Sequence, residues 1–222
     1  MCGRVKQAND PAIYFDYTRW NPLEHLQLDF KPSPNVPPGT RPLVLHRLGD
    51  GAEHADNLFW GYKPPWYKRG PASNARLDTV LKGSPFWKPL LQRRIVVPVD
   101  GWYEWTGEKG DKQPWYINPK DGQPLLLAGL TAWLPGREVL AETGFAVVTD
   151  DSAGGMVDIH DRRPVCLTPD DALEWLDPGT PVEDALSLLS TPRPEDAFHW
   201  WQVTRKMGNS RYQLPDASEP LR

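Results

Sequence analysis

Short apolar runs recur along the chain between residues 42 and 167, and Gly, Pro, Asn and Asp separate them. Runs of this length bounded by turn residues are typical of β-strands. The segments 94–99, 144–149 and 164–167 give the clearest patterns of buried strands. Further strands are predicted at 42–46, 57–61, 101–105, 113–117 and 125–133.

Helical patterns are fewer and shorter. Thr168 is a predicted N-cap, because its hydroxyl can accept from a backbone N–H of the first turn. The chain has 25 prolines, which disfavour long helices since Pro fixes φ and removes a backbone donor. The predicted helices lie within 10–30 and at 77–81, 169–176 and 181–189.

Many strands and few helices predict the fold class. We expect an α+β, mostly antiparallel fold with a barrel-like core and a few short peripheral helices. No break in composition divides the chain, so the interpretation is one domain over residues 1–222. The segments 31–42 and 63–71 are predicted loops, and 215–222 is a predicted frayed tail.

Composition narrows the class of protein. The 222 residues carry a formal net charge of -4, which argues weakly against nucleic-acid binding but is compatible with a local basic groove. Two cysteines, Cys2 and Cys166, do not form a disulfide framework, and they give no zinc-ligand spacing. We therefore expect no metal and no cofactor. No signal peptide or apolar run of membrane-spanning length is visible, so we expect an intracellular protein without a membrane partner.

Cys2 carries the most distinctive candidate chemistry. If Met1 is removed, Cys2 has a free α-amine and a thiol on adjacent carbons, and such an aminothiol can react twice with one aldehyde. The amine forms an imine, and the thiol then closes a five-membered thiazolidine ring. An α-amine has a pKa of about 7.7–8.0, so a useful fraction is unprotonated near neutral pH. The alternative is that Cys2 is an incidental residue in a frayed terminus.

Two polar residues lie between a Pro/Gly loop and the helix predicted at 77–81. Asn74 can offer its amide to a sugar or phosphate, and Arg76 can offer two parallel donors to a phosphate. The alternative interpretation is an N-cap together with a surface ion pair between Arg76 and Asp78.

Glu104 and His160 are the candidate proton-transfer groups. In a strand, Glu104 points to the same face as Trp102. A carboxyl beside apolar surface has a raised pKa and can move protons, whereas the alternative is a paired, exposed Glu on an edge strand. His160 can act as an acid or base near neutral pH, and Arg162 and Arg163 near it can hold phosphates. The alternative there is a polar turn with a solvated His.

Several of these segments occur together and in order: 1–4 (MCGR), 35–39 (NVPPG), 59–61 (FWG), 74–76 (NAR), 100–105 (DGWYEW) and 157–164 (VDIHDRRP). In this respect the chain resembles the SOS response-associated peptidase family, also called abasic-site-processing proteins. The resemblance extends from Cys2 to about residue 209.

The resemblance implies a sensor of abasic sites in single-stranded DNA that shields the lesion in a covalent DNA–protein crosslink. Cys2 would be the nucleophile, and Asn74 would position its amine and the sugar. Glu104 would relay protons from the amine, and His160 would protonate the ring oxygen of the sugar. The family's imine chemistry is of the lyase type. Its autopeptidase activity would here remove only Met1, which an ordinary aminopeptidase could also remove.

The resemblance also implies a set of DNA contacts. Bases stack on aromatic side chains with little sequence preference, and Arg side chains bind phosphates. Tyr67 departs from a Trp expected in some members, and Tyr212 from an Asn, while the roles of Arg163 and Cys166 stay open. The implied phosphate contacts are Arg4, Arg76 and Arg162, and the implied base contacts are Pro38, Trp66, Tyr67 and Trp105.

Two other classes of function compete with this enzyme. One is a non-covalent binding module for modified or single-stranded DNA, which would be indifferent to Cys2. The other is a peptidase acting on other proteins, with Cys2 as thiolate, His160 as base and Glu104 as orienting group. For the crosslinking enzyme we expect a monomer in a bacterial-type cytoplasm that is associated with the nucleoid when crosslinked.

Overall fold

The computed structural model describes residues 2–22, 29–108, 110–191 and 193–221. Thirteen strands are present in these residues: β1 (Val5–Gln7), β2 (Ser33–Val36), β3 (Leu43–His46), β4 (His54–Asn57), β5 (Asn74–Arg76), β6 (Arg94–Val99), β7 (Gly101–Thr106), β8 (Gln113–Pro119), β9 (Leu125–Thr131), β10 (Phe145–Asp151), β11 (Arg162–Pro164), β12 (Cys166–Leu167) and β13 (Phe198–Gln202). The α-helices of the described residues are α1 (Pro11–Thr18), α2 (Leu77–Leu81), α3 (Pro169–Leu176) and α4 (Val182–Leu188).

The strands form two sheets. The smaller sheet has the order β13-β8-β7-β1-β2, and the larger has the order β11-β10-β9-β6-β3-β4, with β5 paired to β10 and β12 to β9. All these pairs are antiparallel except β5 with β10. The α+β, mostly antiparallel class is therefore confirmed. The expected barrel is not closed, because among the described strands each sheet keeps its own edges, such as β2 and β13 in the smaller sheet.

One hydrophobic core lies between the two sheets. Ile95 and Val97 of β6 point into it from the larger sheet, and Trp102 and Ile117 point into it from the smaller one. These side chains alternate with outward-facing neighbours, as the period of two in a strand requires. The inter-sheet core is therefore shared by both sheets.

A second core covers the outer face of the larger sheet. Leu126, Ala128 and Leu130 of β9 pack there with Trp175 of α3. Thr168 caps α3, since its hydroxyl accepts from Asp171 N at 3.2 Å. Burying one large aliphatic side chain stabilises a fold by about 1.5–3 kcal/mol, so these two cores fix the relation of the sheets and helices.

The short terminal strands were not predicted. β1, β2 and β13 lie in segments without clear alternation, and β2 lies inside the predicted loop 31–42. The helix predicted within 10–30 ends at Thr18, where Arg19 adopts a left-handed conformation with φ of 58°. Leu23, which contributed to that pattern, lies outside the described residues.

The expectation of a frayed tail at 215–222 is wrong for the described part of that segment. Pro215–Ser218 forms a 3₁₀ turn, and Ala217 is fully buried against the smaller sheet. Leu221 N donates to Gln202 O at 2.9 Å, and Lys6 Nζ donates to the Ser218 hydroxyl at 3.1 Å. Tertiary contacts therefore order a segment whose polarity suggested fraying.

None of the helices in the described residues has the length and apolar character needed to cross a membrane.

Arg94 provides a test of how the larger sheet holds α3. Its guanidinium is buried and donates to the carbonyls of Trp175, Asp177 and Thr180 at 2.6, 2.6 and 3.1 Å. We expect Arg94→Met to lower the free energy of unfolding by about 2 kcal/mol, because buried carbonyls lose charged donors. Equilibrium urea unfolding measures this change. Arg93→Met is the matched control, since Arg93 makes one longer hydrogen bond to Ala132 O; an equal loss in both variants would contradict the assignment.

Candidate active site

The position of Cys2 is set by β1, which lies between β7 and β2 in the smaller sheet. Val5 pairs with Trp102, and Tyr103 N donates to Arg4 O at 2.9 Å. A terminal segment that forms an interior strand is held by ladder hydrogen bonds on both sides. Cys2 is fully buried in the inter-sheet core, so the interpretation of Cys2 as part of a frayed terminus is wrong.

Glu104 lies on the inner face of β7. The neighbouring Tyr103 packs on the outer face, whereas Trp102 belongs to the inter-sheet core, as the strand alternation predicts. Glu104 is 3% exposed, and this burial raises the pKa of its carboxyl to about 7. The alternative of an exposed Glu on an edge strand is wrong, because β7 is flanked by β8 and β1.

The Cys2 thiol lies close enough to Glu104 for the two groups to interact electrostatically. Burial raises the pKa of this thiol well above its usual range, and the Glu104 carboxylate raises it further. The thiol is therefore uncharged near neutral pH.

His160 approaches Glu104 from the larger sheet. It follows the 3₁₀ turn Gly154–Asp158, and its backbone N–H donates to Met156 O at 3.0 Å. The imidazole Nε2 lies 4.0 Å from Glu104 Oε2. Residues 56 positions apart in the chain thus face each other, and the hypothesis of a simple solvated turn is not supported.

The second ring nitrogen of His160 has two neighbours that favour different tautomers. Arg162 N donates to Nδ1 at 3.0 Å, while Asp161 Oδ1 lies 2.8 Å from the same atom. The Arg162 N–H is fixed by the backbone, whereas the Asp161 side chain is 80% exposed, so we assign the proton to Nε2. Burial lowers the pKa of His160, which favours this neutral form.

A cleft of about 480 Å³ opens where these groups meet. A groove of similar volume, about 440 Å³, runs along β2, but no predicted catalytic residue lines it. The first cleft is therefore the candidate active site. Its lining residues are Gly3, Arg4, Glu104, Trp105, Lys112, His160 and Gly208.

Asn74 lies on the inner face of the larger sheet. It pairs with Val147 of β10, whose side chain belongs to the same core as Cys2. Asn74 Nδ2 donates to Ser73 Oγ at 3.0 Å, whereas its Oδ1 is buried and has no hydrogen-bond partner among the described residues. The amide oxygen is therefore available to a ligand at this face.

The three predicted phosphate-binding Arg residues already have partners in the protein. Arg76 makes two parallel hydrogen bonds to Asp78, at 2.9 and 3.0 Å, so the alternative of a local ion pair is confirmed. Arg162 Nη2 lies 3.1 Å from Asp151 Oδ1. Arg4, whose pKa burial lowers, donates to Asn35 Oδ1 at 2.6 Å and lies 5.5 Å from the centre of the Trp105 ring.

The predicted stacking residues divide into two groups. Trp105 lines the cleft, whereas Trp66 and Tyr67 lie in a separate aromatic cluster with Phe86. Trp66 is 62% exposed, which is unusual for so large an apolar side chain. Pro38 is exposed in the loop after β2. The described contacts do not join this cluster to the cleft.

Three further residues near the site were not predicted from the sequence: Lys112, Gly208 and Thr149. Lys112 and Gly208 line the cleft, and the buried Thr149 hydroxyl lies on the inner face of β10 with no partner among the described residues. The parallel pairing of β5 with β10 places Thr149 beside Arg76, and no short-range pattern signals it. No group of three or more His, Cys, Asp or Glu in the described residues could hold a metal ion.

The two sheets pack on a shared core that contains Cys2, and Glu104 and His160 line the cleft beside it. This fold and site, together with the matches to known families, define the class of this protein. The model of the SOS response associated peptidase (SRAP) family matches residues 1–210. The chain belongs to this family.

Named relatives extend the match over whole chains. The chain is 36% identical over 231 residues to the abasic site processing protein YedK of Escherichia coli, covering 100% of both chains. It is 33% identical to the abasic site processing protein HMCES of Xenopus tropicalis, over 84% of this chain and 65% of that one. A solved structure of a phage-related protein from Bordetella bronchiseptica is 47% identical, with a TM-score of 0.83 over 97% of this chain and 100% of that chain.

The pKa of His160 tests the geometry of the site directly. We expect its imidazole to titrate below the ordinary value of about 6.5, because burial disfavours the charged ring. Two-dimensional NMR of the ring protons between pH 4.5 and 8.5 measures the midpoint, and His160→Gln identifies the resonance. A midpoint above 7 would contradict a neutral imidazole near neutral pH.

Proposed function

We propose that this protein senses abasic sites in single-stranded DNA and captures them covalently through Cys2. The observation that carries the proposal is that Glu104 and His160 line one cleft, 4.0 Å apart, and that the buried Cys2 thiol lies within electrostatic range of Glu104. The relatives YedK and HMCES are named abasic site processing proteins, which supports abasic DNA as the substrate in this proposal. We propose further that it works as a monomer in a bacterial-type cytoplasm, and that it is associated with the nucleoid when crosslinked.

The reaction uses the aldehyde of the ring-opened abasic sugar. Once Met1 is removed, the α-amine of Cys2 adds to C1′, and loss of water gives an imine. The thiol sulfur then bonds to the same carbon while its proton moves to the nitrogen. Aldehyde and aminothiol are thereby converted into a thiazolidine and one water, with no oxidant or cofactor required.

The groups around the cleft divide the proton transfers between them. Glu104, with a pKa of about 7, accepts a proton from the amine in its carboxylate form and returns it to the leaving hydroxyl in its acid form. His160 presents Nε2–H to the ring oxygen of the sugar and favours opening to the aldehyde. Asn74 Oδ1 positions the amine, and this role gives its buried oxygen a partner.

The imine is a branch point in this scheme. An imine at C1′ allows β-elimination of the 3′ phosphate, which is lyase chemistry, and closure of the thiazolidine removes the imine before strand cleavage. We propose that the thiol of Cys2 makes the difference between shielding the lesion and cutting the strand. Met1 lies outside the described residues, and its removal by autopeptidase activity belongs to this proposal.

The DNA contacts follow from the cations and rings around the cleft. Phosphate oxygens would replace the carboxylates that now hold Arg76 and Arg162, while Arg4 and Trp105 border the cleft itself. Trp66 offers an exposed ring, with Tyr67 and Pro38, for stacking or wedging against bases. A single strand needs no unpairing before the lesion enters the cleft.

The competing peptidase hypothesis needs a thiolate at Cys2. Burial raises the pKa of that thiol, whereas cysteine nucleophiles of peptidases have lowered values. If the α-amine of Cys2 reacts first, no thiolate is needed for the initial attack, because the thiol acts only after the imine has formed. The raised thiol pKa therefore favours aldehyde capture over hydrolysis of unrelated peptides.

Removal of the thiol tests the crosslink. We expect wild-type protein to form a gel-stable adduct with a single-stranded oligonucleotide that contains one abasic site, and Cys2→Ala to form none. Cys2→Ala and Cys2→Ser both keep the α-amine, so the imine of either variant should be trapped by borohydride, whereas neither variant forms a stable adduct without the reductant. Intact mass spectrometry measures both products and the loss of Met1. Cys166→Ala is the matched control for a buried cysteine, and a wild-type yield of stable adduct from Cys2→Ala would exclude the thiazolidine.

The raised pKa of Glu104 predicts a particular pH dependence. Gln mimics the protonated carboxyl, so Glu104→Gln should differ little from wild type below pH 6, where Glu104 is already neutral. As pH rises through about 7 the wild-type carboxylate forms, and the ratio of wild-type to variant crosslinking rate should increase roughly tenfold between pH 6 and 8. Single-turnover rates measure this ratio. A ratio that is constant with pH would show that Glu104 transfers no proton.

A further inference from the structure

Lys112 is a cation of the cleft to which neither the sequence pattern nor the family resemblance gave a role. It lies one residue before β8 and lines the cleft with Glu104, His160 and Arg4. Its charge acts on both proton-transfer groups, lowering the pKa of Glu104 and that of His160 as a minor influence beside burial. The ammonium is therefore within electrostatic range of both groups.

The hairpin between β7 and β8 holds Lys112 in place. Gly107 has φ of 87°, and a Cβ at this position would lie 2.5 Å from Asp111 O, so the turn requires glycine. Arg205 forms an ion pair with Asp111 and donates to Gln113 Oε1 at 3.2 Å. The end of the hairpin is thus attached to the segment that follows β13.

Lys112 differs from the Arg residues near the site. Arg4, Arg76 and Arg162 each hold an acceptor within the protein, so a phosphate must replace or share that acceptor. The Lys112 ammonium makes no hydrogen bond or ion pair with the described residues, and its side chain is exposed. A cation at the cleft wall with no acceptor among the described residues is suited to an anion that enters with the substrate.

The substrate provides such an anion on each side of the reacting carbon. An abasic sugar in a strand is joined to a 5′ and a 3′ phosphate, and the sugar must enter the cleft for C1′ to reach Cys2. We propose that Lys112 binds one of the two phosphates that flank the abasic sugar. This inference rests on the proposed function, because it takes the abasic strand as the occupant of the cleft.

Binding is tested with a substrate analogue that cannot react. The probe is a fluorescent single-stranded oligonucleotide with a central tetrahydrofuran, which has the abasic backbone but no aldehyde. We expect Lys112→Ala to weaken binding about fivefold at low salt and to reduce the slope of log affinity against log salt by about 0.7, the loss of one phosphate contact. Lys112→Arg should restore most of the affinity and the slope.

The control is Lys120→Ala, since Lys120 is an exposed lysine at the opposite end of β8 and does not line the cleft. Its affinity and salt slope should equal those of the wild type. Equal losses in Lys112→Ala and Lys120→Ala would show a general effect of charge and overturn the assignment. Urea midpoints of the variants should agree with the wild type, and a lowered midpoint for Lys112→Ala alone would assign the residue a structural role instead.

The contacted phosphate is identified by neutralising it. A methylphosphonate in place of the 5′ or the 3′ flanking phosphate removes the charge at one position. For one of the two probes, the affinity of the wild type should fall about fivefold and that of Lys112→Ala should fall much less. Such non-additive losses are expected when Lys112 contacts that phosphate directly. Additive losses at both positions would overturn the proposal. These measurements need no covalent reaction, so a failure of crosslinking with intact coupling would reject the capture chemistry and leave the contact in place.

Discussion

The pairing of β1 inside the smaller sheet is the constraint on which the candidate site depends. Because β1 has β7 on one side and β2 on the other, and Tyr103 N of β7 also donates to Arg4 O, the short segment 2–4 that precedes β1 is anchored to the sheet. Cys2 is thereby held against the inner face of β7, where Glu104 lies. A nucleophile at a free chain end would lose much conformational freedom on reaction, and the sheet removes most of that freedom during folding.

Burial at this position also sets the chemistry of the cleft. It raises the pKa of Glu104 and of the Cys2 thiol and lowers that of His160, so all three groups favour their neutral forms. Because the pKa of Glu104 is about 7, its acid and carboxylate forms are both present near neutral pH, 4.0 Å from the imidazole of His160. This environment suits imine formation, in which protons move repeatedly between nitrogen, oxygen and the catalytic groups.

The local pattern of the sequence correctly predicted features that depend only on residues close together in the chain. The alternation in 101–105 gave the correct face and the raised pKa of Glu104, and Thr168 was correctly predicted as a helix cap. The strands β1 and β2 could not be predicted, because three or four residues are too short to establish a period and their stability comes from partners distant in the chain. The approach of His160 to Glu104 likewise depends on how the sheets pack, and the pattern of either segment contains no information on that distance.

The ion pairs around the site bear on how an acidic chain can hold DNA. Arg76 and Arg162 are held by Asp78 and Asp151, so a phosphate that binds them exchanges one anionic acceptor for another. Each such exchange contributes less than a new contact, because the cation is already partly neutralised. Under the proposed function, strong non-covalent affinity is not required, since the covalent bond to Cys2 retains the lesion once it has entered the cleft. Weak initial contact would then allow the protein to dissociate from undamaged DNA. It would be retained only at abasic sites, where the aldehyde forms the covalent bond.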